Sequence, residues 1–217
     1  MITLYAYNWV PDFAQGYVRD LRVRWALEEA GIPYVEKLID HRYKTSPAYL
    51  ALQPFGQVPA IESDGVTLFE SGAIVLHIAR MSEKLMPADA GGRGRTETWM
   101  FAALNTIEPH VSHLADIDLF SAGENWAKER RPSAIKAIEQ RADRLQDWLG
   151  DNDFLDGSFS AGDLLMSDVL RSLGKTDILD TRPRLKAYLD RCTGRPAFQK
   201  ALADQLRSFE GNAPPGM

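Results

Sequence analysis

The chain has 217 residues, of which 45% are hydrophobic and 25% charged, with a formal net charge of -5 and a pI near 5.4. This composition excludes a disordered or fibrous chain, and the acidic balance disfavours a nucleic-acid partner. Cys192 is the single cysteine, and no apolar run approaches the roughly 20 residues of a membrane span. Because the N-terminus also lacks a signal-peptide pattern, we expect a cytoplasmic protein without a membrane partner.

The first part of the chain combines strand and helix patterns. Residues 2–7 alternate as a strand, and apolar residues from Val18 to Trp25 recur at helical spacing. Gly31 then ends the helix, because glycine readily adopts the left-handed conformation of a helix C-terminus. Residues 32–39 predict a second strand, so the chain begins with a strand, helix and strand.

A hairpin and a further helix follow. Two short strands, 60–62 and 66–68, flank a turn in which Asp64 and Gly65 supply the positive φ angles of a tight hairpin. Residues 71–82 then show helical spacing. Together these elements predict a small mixed α/β sheet over residues 1–82.

The remainder of the chain shows helical periods alone. Residues 83–95 are rich in glycine and charged residues and predict a linker, and residues 96–217 predict an all-helical domain. Within that domain, Ser160 and Asp163 are three residues apart before an apolar run, which predicts a capping box at the start of a buried helix.

Two segments flanking the hairpin carry the candidate site. If the Val58–Pro59 bond is cis, the backbone N–H and C=O of Val58 turn outward and can pair with an extended peptide. Ser71 begins the following helix, where a hydroxyl and free N–H groups can bind a carboxylate, and Glu70 beside it can bind an ammonium group. Glu70 and Ser71 taken alone could equally be an ordinary helix cap.

At these segments the chain resembles the soluble, cytosolic-type glutathione S-transferase family over almost its whole length. The matching stretches are Val23–Tyr34, Ser46–Leu50, Gln57–Pro59, Glu70–Ser71 and Phe159–Asp163. The resemblance implies a thioredoxin-like N-terminal domain followed by an all-α helical bundle domain.

The resemblance also implies a set of binding residues. Gln57 and Val58, before the cis proline Pro59, would bind the backbone of glutathione, and Glu70 with Ser71 its γ-glutamyl end. Lys44 is the nearest match to a basic residue that commonly binds the glycine carboxylate of the tripeptide. Glutathione is therefore the expected co-substrate, with no metal.

Transferase chemistry requires a residue that lowers the pKa of the glutathione thiol. A thiol with a pKa near 8.5 is only about 3% ionised at neutral pH, so a hydroxyl donor near the first helix is needed. Tyr17 occupies the position of the activating residue in serine- and cysteine-type relatives, and Tyr7 matches the tyrosine-type position at the end of the first strand. Tyr17 is favoured, Tyr7 is next, and Tyr5 lies within the strand.

Three further residues are candidates for the pocket of the second substrate. Trp9 and Phe13 lie in the long loop after the first strand, and Asn105 is polar within an apolar helical stretch. His110 and His113 have a spacing that can share a metal, but a third ligand is missing.

The leading hypothesis is a glutathione transferase that activates the thiol for attack on a small hydrophobic electrophile, as in detoxification. An isomerase, dehalogenase or ether-cleaving enzyme at the same glutathione site is an alternative. A third possibility is a noncatalytic glutathione-binding module. The resemblance also implies a homodimer.

Overall fold

The computed structural model describes residues 1–213 and divides the chain into two compact units. The first unit contains Met1–Leu85 together with the chain from Arg195 onward, and the second unit is Met86–Gly194. This division differs from the expected bounds 1–82 and 96–217, because the last helix belongs to the first unit. The final four residues of the predicted second domain lie outside the described part of the chain.

The first unit is built on a four-stranded mixed sheet. Its strands are β1 (Ile2–Tyr7), β2 (Tyr34–Ile39), β3 (Ala60–Ser63) and β4 (Val66–Phe69), in the order β2-β1-β3-β4. Strand β1 is parallel to β2 and antiparallel to β3, which pairs antiparallel with β4. Helices α1 (Asp20–Ala30), α2 (Pro47–Leu50) and α3 (Ser71–Ala79) connect or follow these strands. This arrangement is the expected thioredoxin-like domain.

Local backbone signals in the sequence have the expected geometry. Gly31 has a φ of 69°, and its N–H bonds to the C=O of Glu28 at the end of α1. Asp64 and Gly65 have φ angles of 47° and 82° in the hairpin turn. Both positions require the left-handed region, which explains why glycine follows the helix and an Asp-Gly pair forms the turn.

The second unit is all-helical in its described residues, as expected. It contains α4 (Ala90–Phe101), α5 (Glu108–Ala115), α6 (Asn125–Leu149), α7 (Ala161–Arg171) and α8 (Pro183–Thr193). Two π-helical segments, Ala102–Ile107 and Asp116–Phe120, precede and follow α5.

The predicted linker 83–95 extends too far, because α4 already begins at Ala90. Asp89 caps the helix by accepting a hydrogen bond from the N–H of Gly92 at 2.8 Å. Gly92 is buried, and a Cβ added there would lie 2.6 Å from the Cβ of Pro87. The glycine therefore permits Pro87 to pack closely against the first turn of α4, whereas the sequence pattern indicated a loop.

The predicted capping box is confirmed at the start of α7. The N–H of Ser160 donates to the Asp163 carboxylate at 3.0 Å, and the Ser160 hydroxyl accepts from the N–H of Gly162. The hydroxyl of Tyr188 also donates to Asp163 at 3.1 Å. Burial raises the pKa of Asp163. Cys192 is buried in α8.

The last helix, α9 (Pro196–Phe209), packs against α1 through buried polar contacts. Gln205 donates to the carboxylate of Asp20 at 2.8 Å, and Arg24 donates to the same carboxylate at 2.7 Å. Burial raises the pKa of Asp20, while the Arg24 guanidinium opposes that rise. Because Asp20 and Arg24 are both buried in the first unit, α9 completes the core around α1.

Candidate active site

The strand pairing brings the ends of all four strands to one edge of the sheet. Tyr7 pairs with Ile39 in the parallel ladder, so β1 and β2 end together. Ala60 pairs with both Tyr5 and Phe69, so β3 starts and β4 ends beside the end of β1. The segments 8–19, 40–46, 57–59 and 70–71 therefore all meet at this edge. They contain the predicted site residues except Tyr5 and Tyr7, which lie in β1, and Asn105 in the second unit.

The Val58–Pro59 peptide bond is cis, as expected. The side chain of Val58 is buried in an apolar cluster with Tyr5, Ile39, Tyr49 and Ala60. Among the residues that the structure describes, none forms a hydrogen bond with the backbone N–H or C=O of Val58. The side chain thus anchors this segment while both backbone groups remain available to an extended ligand.

The start of helix α3 (Ser71–Ala79) lies next to this segment. Ser71 is the first residue of α3 and is buried, and Glu70 before it has a φ of 68°. The Ser71 Oγ accepts a hydrogen bond from the buried guanidinium of Arg22 at 3.3 Å, which leaves the hydroxyl proton available for donation. The free N–H groups and the positive end of the helix dipole add to this site. The arrangement suits a carboxylate.

Lys44 and Tyr7 lie close together at the same edge. The Lys44 Nζ is 5.8 Å from the centroid of the Tyr7 ring, and that ring stacks on His41 with centroids 4.8 Å apart. Within the described residues, the Tyr7 hydroxyl has no hydrogen-bond partner. The hydroxyl of this half-buried tyrosine is therefore available to a bound ligand.

The three tyrosines considered from the sequence differ in their surroundings. The Tyr5 hydroxyl donates to Glu62 at 2.5 Å and accepts from Lys37 at 3.3 Å, so it is already engaged. Burial and the Glu62 carboxylate raise the pKa of Tyr5. Tyr17 precedes α1 and is 43% exposed, whereas Val18 beside it packs against the cluster that contains Val58.

The residues predicted for the electrophile pocket fall in different units. Trp9 is half-buried and Phe13 is 46% exposed, and both lie between β1 and α1. Asn105 is exposed on the first π-helical segment of the second unit. The pocket therefore stays a prediction.

Sequence reasoning missed three residues at this edge. Arg22 contacts Ser71, His41 stacks on Tyr7, and the hydroxyl of Tyr49 donates to the C=O of Gln57 at 2.7 Å. Each belongs to a different helix or loop from its partner: Arg22 is 49 residues from Ser71, and Tyr49 is 8 residues from Gln57. No periodicity or cap signal in the sequence identifies these contacts.

A cleft of about 520 Å³ in the first unit lies away from this edge, beside the end of α1 and α9. Its charged groups pair with one another: Lys200 bonds to both Glu28 and Asp204 at 2.7 Å. Over residues 1–213, no group of three or more metal-binding side chains is placed to hold a metal ion. None of the helices described is long and apolar enough to cross a membrane.

The fold defines a thioredoxin-like domain whose sheet edge offers the unpaired backbone groups of Val58 and the start of helix α3. A family model described as "Glutathione S-transferase, N-terminal domain" matches residues 5–80. Glutathione S-transferase APIC of Nicotiana tabacum is 30% identical over 179 residues, covering 76% of this chain and 82% of that protein. Glutathione S-transferase F9 of Arabidopsis thaliana is 29% identical over 170 residues, covering 72% and 78%. The chain therefore belongs to the glutathione S-transferase family, and these homologues indicate a glutathione transferase enzyme.

Solved structures of similar proteins have the same fold. Glutathione transferase F7 from Populus trichocarpa has a TM-score of 0.81 at 23% identity, covering 95% of this chain and 99% of that one. A glutathione transferase from Burkholderia graminis, solved with two glutathione molecules per subunit, has a TM-score of 0.80 at 24% identity. This structural match covers 93% of this chain and 87% of the Burkholderia graminis chain.

Proposed function

We propose that this chain binds glutathione at the sheet edge and transfers it, as the thiolate, to a small hydrophobic electrophile. The observation that carries the proposal is the unpaired backbone of Val58 beside the buried Ser71 at the start of α3. The relatives named above are transferases, which favours this activity over an isomerase, a dehalogenase, an ether-cleaving enzyme or a noncatalytic module.

In this proposal each end of the tripeptide has its own partner. The backbone of Val58 pairs with the cysteinyl residue, and Pro59 fixes the end of that segment. Gln57 is exposed and its side chain has no partner among residues 1–213, which supports a contact with the ligand. Ser71 and the N–H groups of α3 bind the γ-glutamyl carboxylate. Glu70 binds the ammonium group.

Lys44 is proposed to bind the glycine carboxylate. Lys44 lies in the segment that follows β2, and its ammonium group forms no ion pair with the described residues. A carboxylate ligand would therefore not have to compete with a protein carboxylate for this cation. Lys44→Met is expected to weaken glutathione binding, while Lys84→Met, in an exposed position after α3, serves as the control.

The thiol is proposed to be activated by the hydroxyl of Tyr17 or Tyr7. A pKa lowered by two units requires about 2.7 kcal/mol, and a hydrogen bond to a charged group contributes about 1.5–3 kcal/mol. Tyr7 is supported by its hydroxyl, which has no partner among the described residues, and Tyr17 by its position just before α1. Tyr5 is disfavoured because its hydroxyl is bonded to Glu62.

Titration of the bound thiol by ultraviolet absorbance tests this function. A transferase is expected to lower the pKa of bound glutathione by about 1–2 units relative to free glutathione. Replacing the donor, by Tyr17→Phe or Tyr7→Phe, should restore that pKa, while the other replacement should leave it unchanged. Binding of glutathione with an unshifted thiol pKa would instead indicate a noncatalytic module.

The second substrate is proposed to bind beside Trp9 and Phe13, in the segment between β1 and α1. The two aromatic side chains support an apolar pocket, because apolar ligands gain free energy by burying surface against aromatic rings. Trp9→Ala and Phe13→Ala should raise the KM for a chlorinated aromatic test substrate and leave the Kd for glutathione unchanged. A rise in the Kd for glutathione alone would contradict this placement.

We also propose that the protein is a cytoplasmic homodimer that acts in detoxification. The support for a dimer is an apolar pair on the first unit: Phe55 is 68% exposed, and the centroid of its ring lies 6.1 Å from that of Phe69. Exposed apolar surface of this kind is typical of interfaces. Light scattering should give twice the 24.3 kDa mass of one chain, and Phe55→Ser should shift the mass toward the monomer.

A further inference from the structure

The side chain of Tyr49 connects the apolar cluster with the peptide-binding segment. Tyr49 lies in α2, and its ring has 0% exposure. The ring contacts Tyr5 and Tyr43, with centroids 5.6 and 5.9 Å apart. Its hydroxyl donates to the backbone C=O of Gln57 at 2.7 Å. The buried Tyr49 ring thus places its hydroxyl against the segment that contains Val58.

This hydrogen bond fixes the orientation of one peptide plane. The Gln57–Val58 bond is trans, and in a trans peptide the C=O and the N–H point in opposite directions. Because Tyr49 holds the Gln57 C=O toward the buried hydroxyl, the Val58 N–H is directed away from it. That N–H has no partner among the described residues.

The hydroxyl is also suited to act as a permanent donor. Burial raises the pKa of Tyr49, with smaller contributions from the neighbouring tyrosines. The phenol therefore stays protonated, and a protonated phenol donates to a carbonyl oxygen. A phenylalanine at this position would fill the same volume in the cluster but leave the Gln57 C=O without its donor.

We propose that Tyr49 is a positioning residue for glutathione: its hydroxyl holds the Gln57–Val58 peptide so that the Val58 N–H faces the ligand. Tyr49 itself does not touch the substrate. This inference rests on the proposed function, because it assigns to the Val58 N–H the hydrogen bond to the cysteinyl residue of the tripeptide. In this inference Tyr49 orients the peptide, and the Val58 N–H binds the ligand.

The test is Tyr49→Phe, measured by glutathione calorimetry and by steady-state kinetics. Loss of one oriented hydrogen bond should raise the Kd and the KM for glutathione about five- to tenfold. The kcat at saturating glutathione should stay within about twofold, since the thiol-activating hydroxyl is untouched. A general loss of stability would instead lower the active fraction and kcat without selectively changing the Kd.

Two matched variants control for the loss of a tyrosine hydroxyl. Tyr188→Phe removes another buried hydroxyl, the one that donates to Asp163 in the second unit, and should leave the KM for glutathione unchanged. Tyr43→Phe alters a tyrosine that packs against Tyr49 and should also leave it unchanged. If either control raises the KM as much as Tyr49→Phe does, the positioning role is refuted.

Amide hydrogen exchange of Val58 provides a measurement that does not depend on the variant folding. In the wild-type protein, glutathione should slow exchange of this amide at least tenfold, because the inference directs this N–H at the ligand. Wild-type binding without slower exchange, or an unchanged Kd in Tyr49→Phe, would overturn the role of Tyr49 alone. Absence of glutathione binding to the wild type would overturn the proposed function as well.

Discussion

Replacement of Ser71 by alanine tests the anion-binding part of the site most directly. Ser71 is 5% exposed at the first position of α3, and its Oγ accepts a hydrogen bond from Arg22. In the proposed complex its proton is donated to the γ-glutamyl carboxylate. A hydrogen bond to a charged group is worth about 1.5–3 kcal/mol, so Ser71→Ala should raise the Kd for glutathione about 10- to 150-fold.

The remaining contacts limit the size of this effect. The backbone N–H groups of α3 and its dipole are unaffected by Ser71→Ala, and the dipole contributes about 0.3–1 kcal/mol. Binding should therefore be weakened and still be measurable by isothermal titration calorimetry. Ser71→Thr keeps the hydroxyl and should recover most of the affinity.

A second serine provides the matched control. Ser82 follows the end of α3, at the opposite end of the helix from the site, and Ser82→Ala should leave the Kd unchanged. Urea unfolding of all three variants separates affinity from stability. The reasoning would be refuted if Ser71→Ala bound glutathione within twofold of the wild type, or if Ser71→Thr bound as weakly as Ser71→Ala.

Three further predictions concern stability. Gly92→Ala should lower the free energy of unfolding by about 1–3 kcal/mol, because its Cβ would lie 2.6 Å from a neighbouring side-chain carbon. Gly94→Ala lies in the same helix with nothing within 4 Å of the new Cβ, so it should raise the free energy of unfolding by about 0.5–1 kcal/mol. Equal effects of the two variants in urea unfolding would contradict the close packing at Gly92. Arg24→Met should cost about 3–5 kcal/mol because it leaves Asp20 buried without its cation, and adding Asp20→Leu should recover part of that loss in the same assay. Burial raises the pKa of Tyr34 from 10.0 to about 12. The stability that protonated Tyr34 contributes is therefore complete below pH 10 and is lost as the pH rises toward 12. Tyr34→Phe should make the free energy of unfolding depend less on pH over that range, and an unchanged slope would contradict this prediction.

The fold was largely predictable because its local signals agree with its tertiary contacts. The strand β1, the stop at Gly31, the hairpin at Gly65 and the cap at Ser160 each depend on neighbours within a few residues. The exception is the start of α4, where glycines indicated a loop. There the Asp89 cap and the close approach of Pro87 to Gly92 accompany a helix despite the low helix propensity of its glycines.

The candidate site was predictable only in part. Gln57, Val58, Glu70 and Ser71 were identified from short motifs, because a helix start and a proline-terminated segment carry their binding groups on the backbone itself. The contacts that support them were not, since Tyr49 and Arg22 meet Gln57 and Ser71 through the folding of separate elements. The choice between tyrosine donors likewise depends on which hydroxyls are already bonded.

The sequence by itself therefore determined the mixed sheet, the helical character of the second unit and the family, and it predicted the backbone groups that we propose bind glutathione. Only the tertiary structure decided that the Tyr5 hydroxyl is taken by Glu62, that Tyr49 orients the Gln57 carbonyl, and that α9 belongs with α1. The physical reason is the sequence separation between the residues that interact. Helix caps, turns and periodicity are set by interactions between near neighbours in the chain, whereas the partner of a buried hydroxyl or guanidinium is set by residues that become neighbours only on folding.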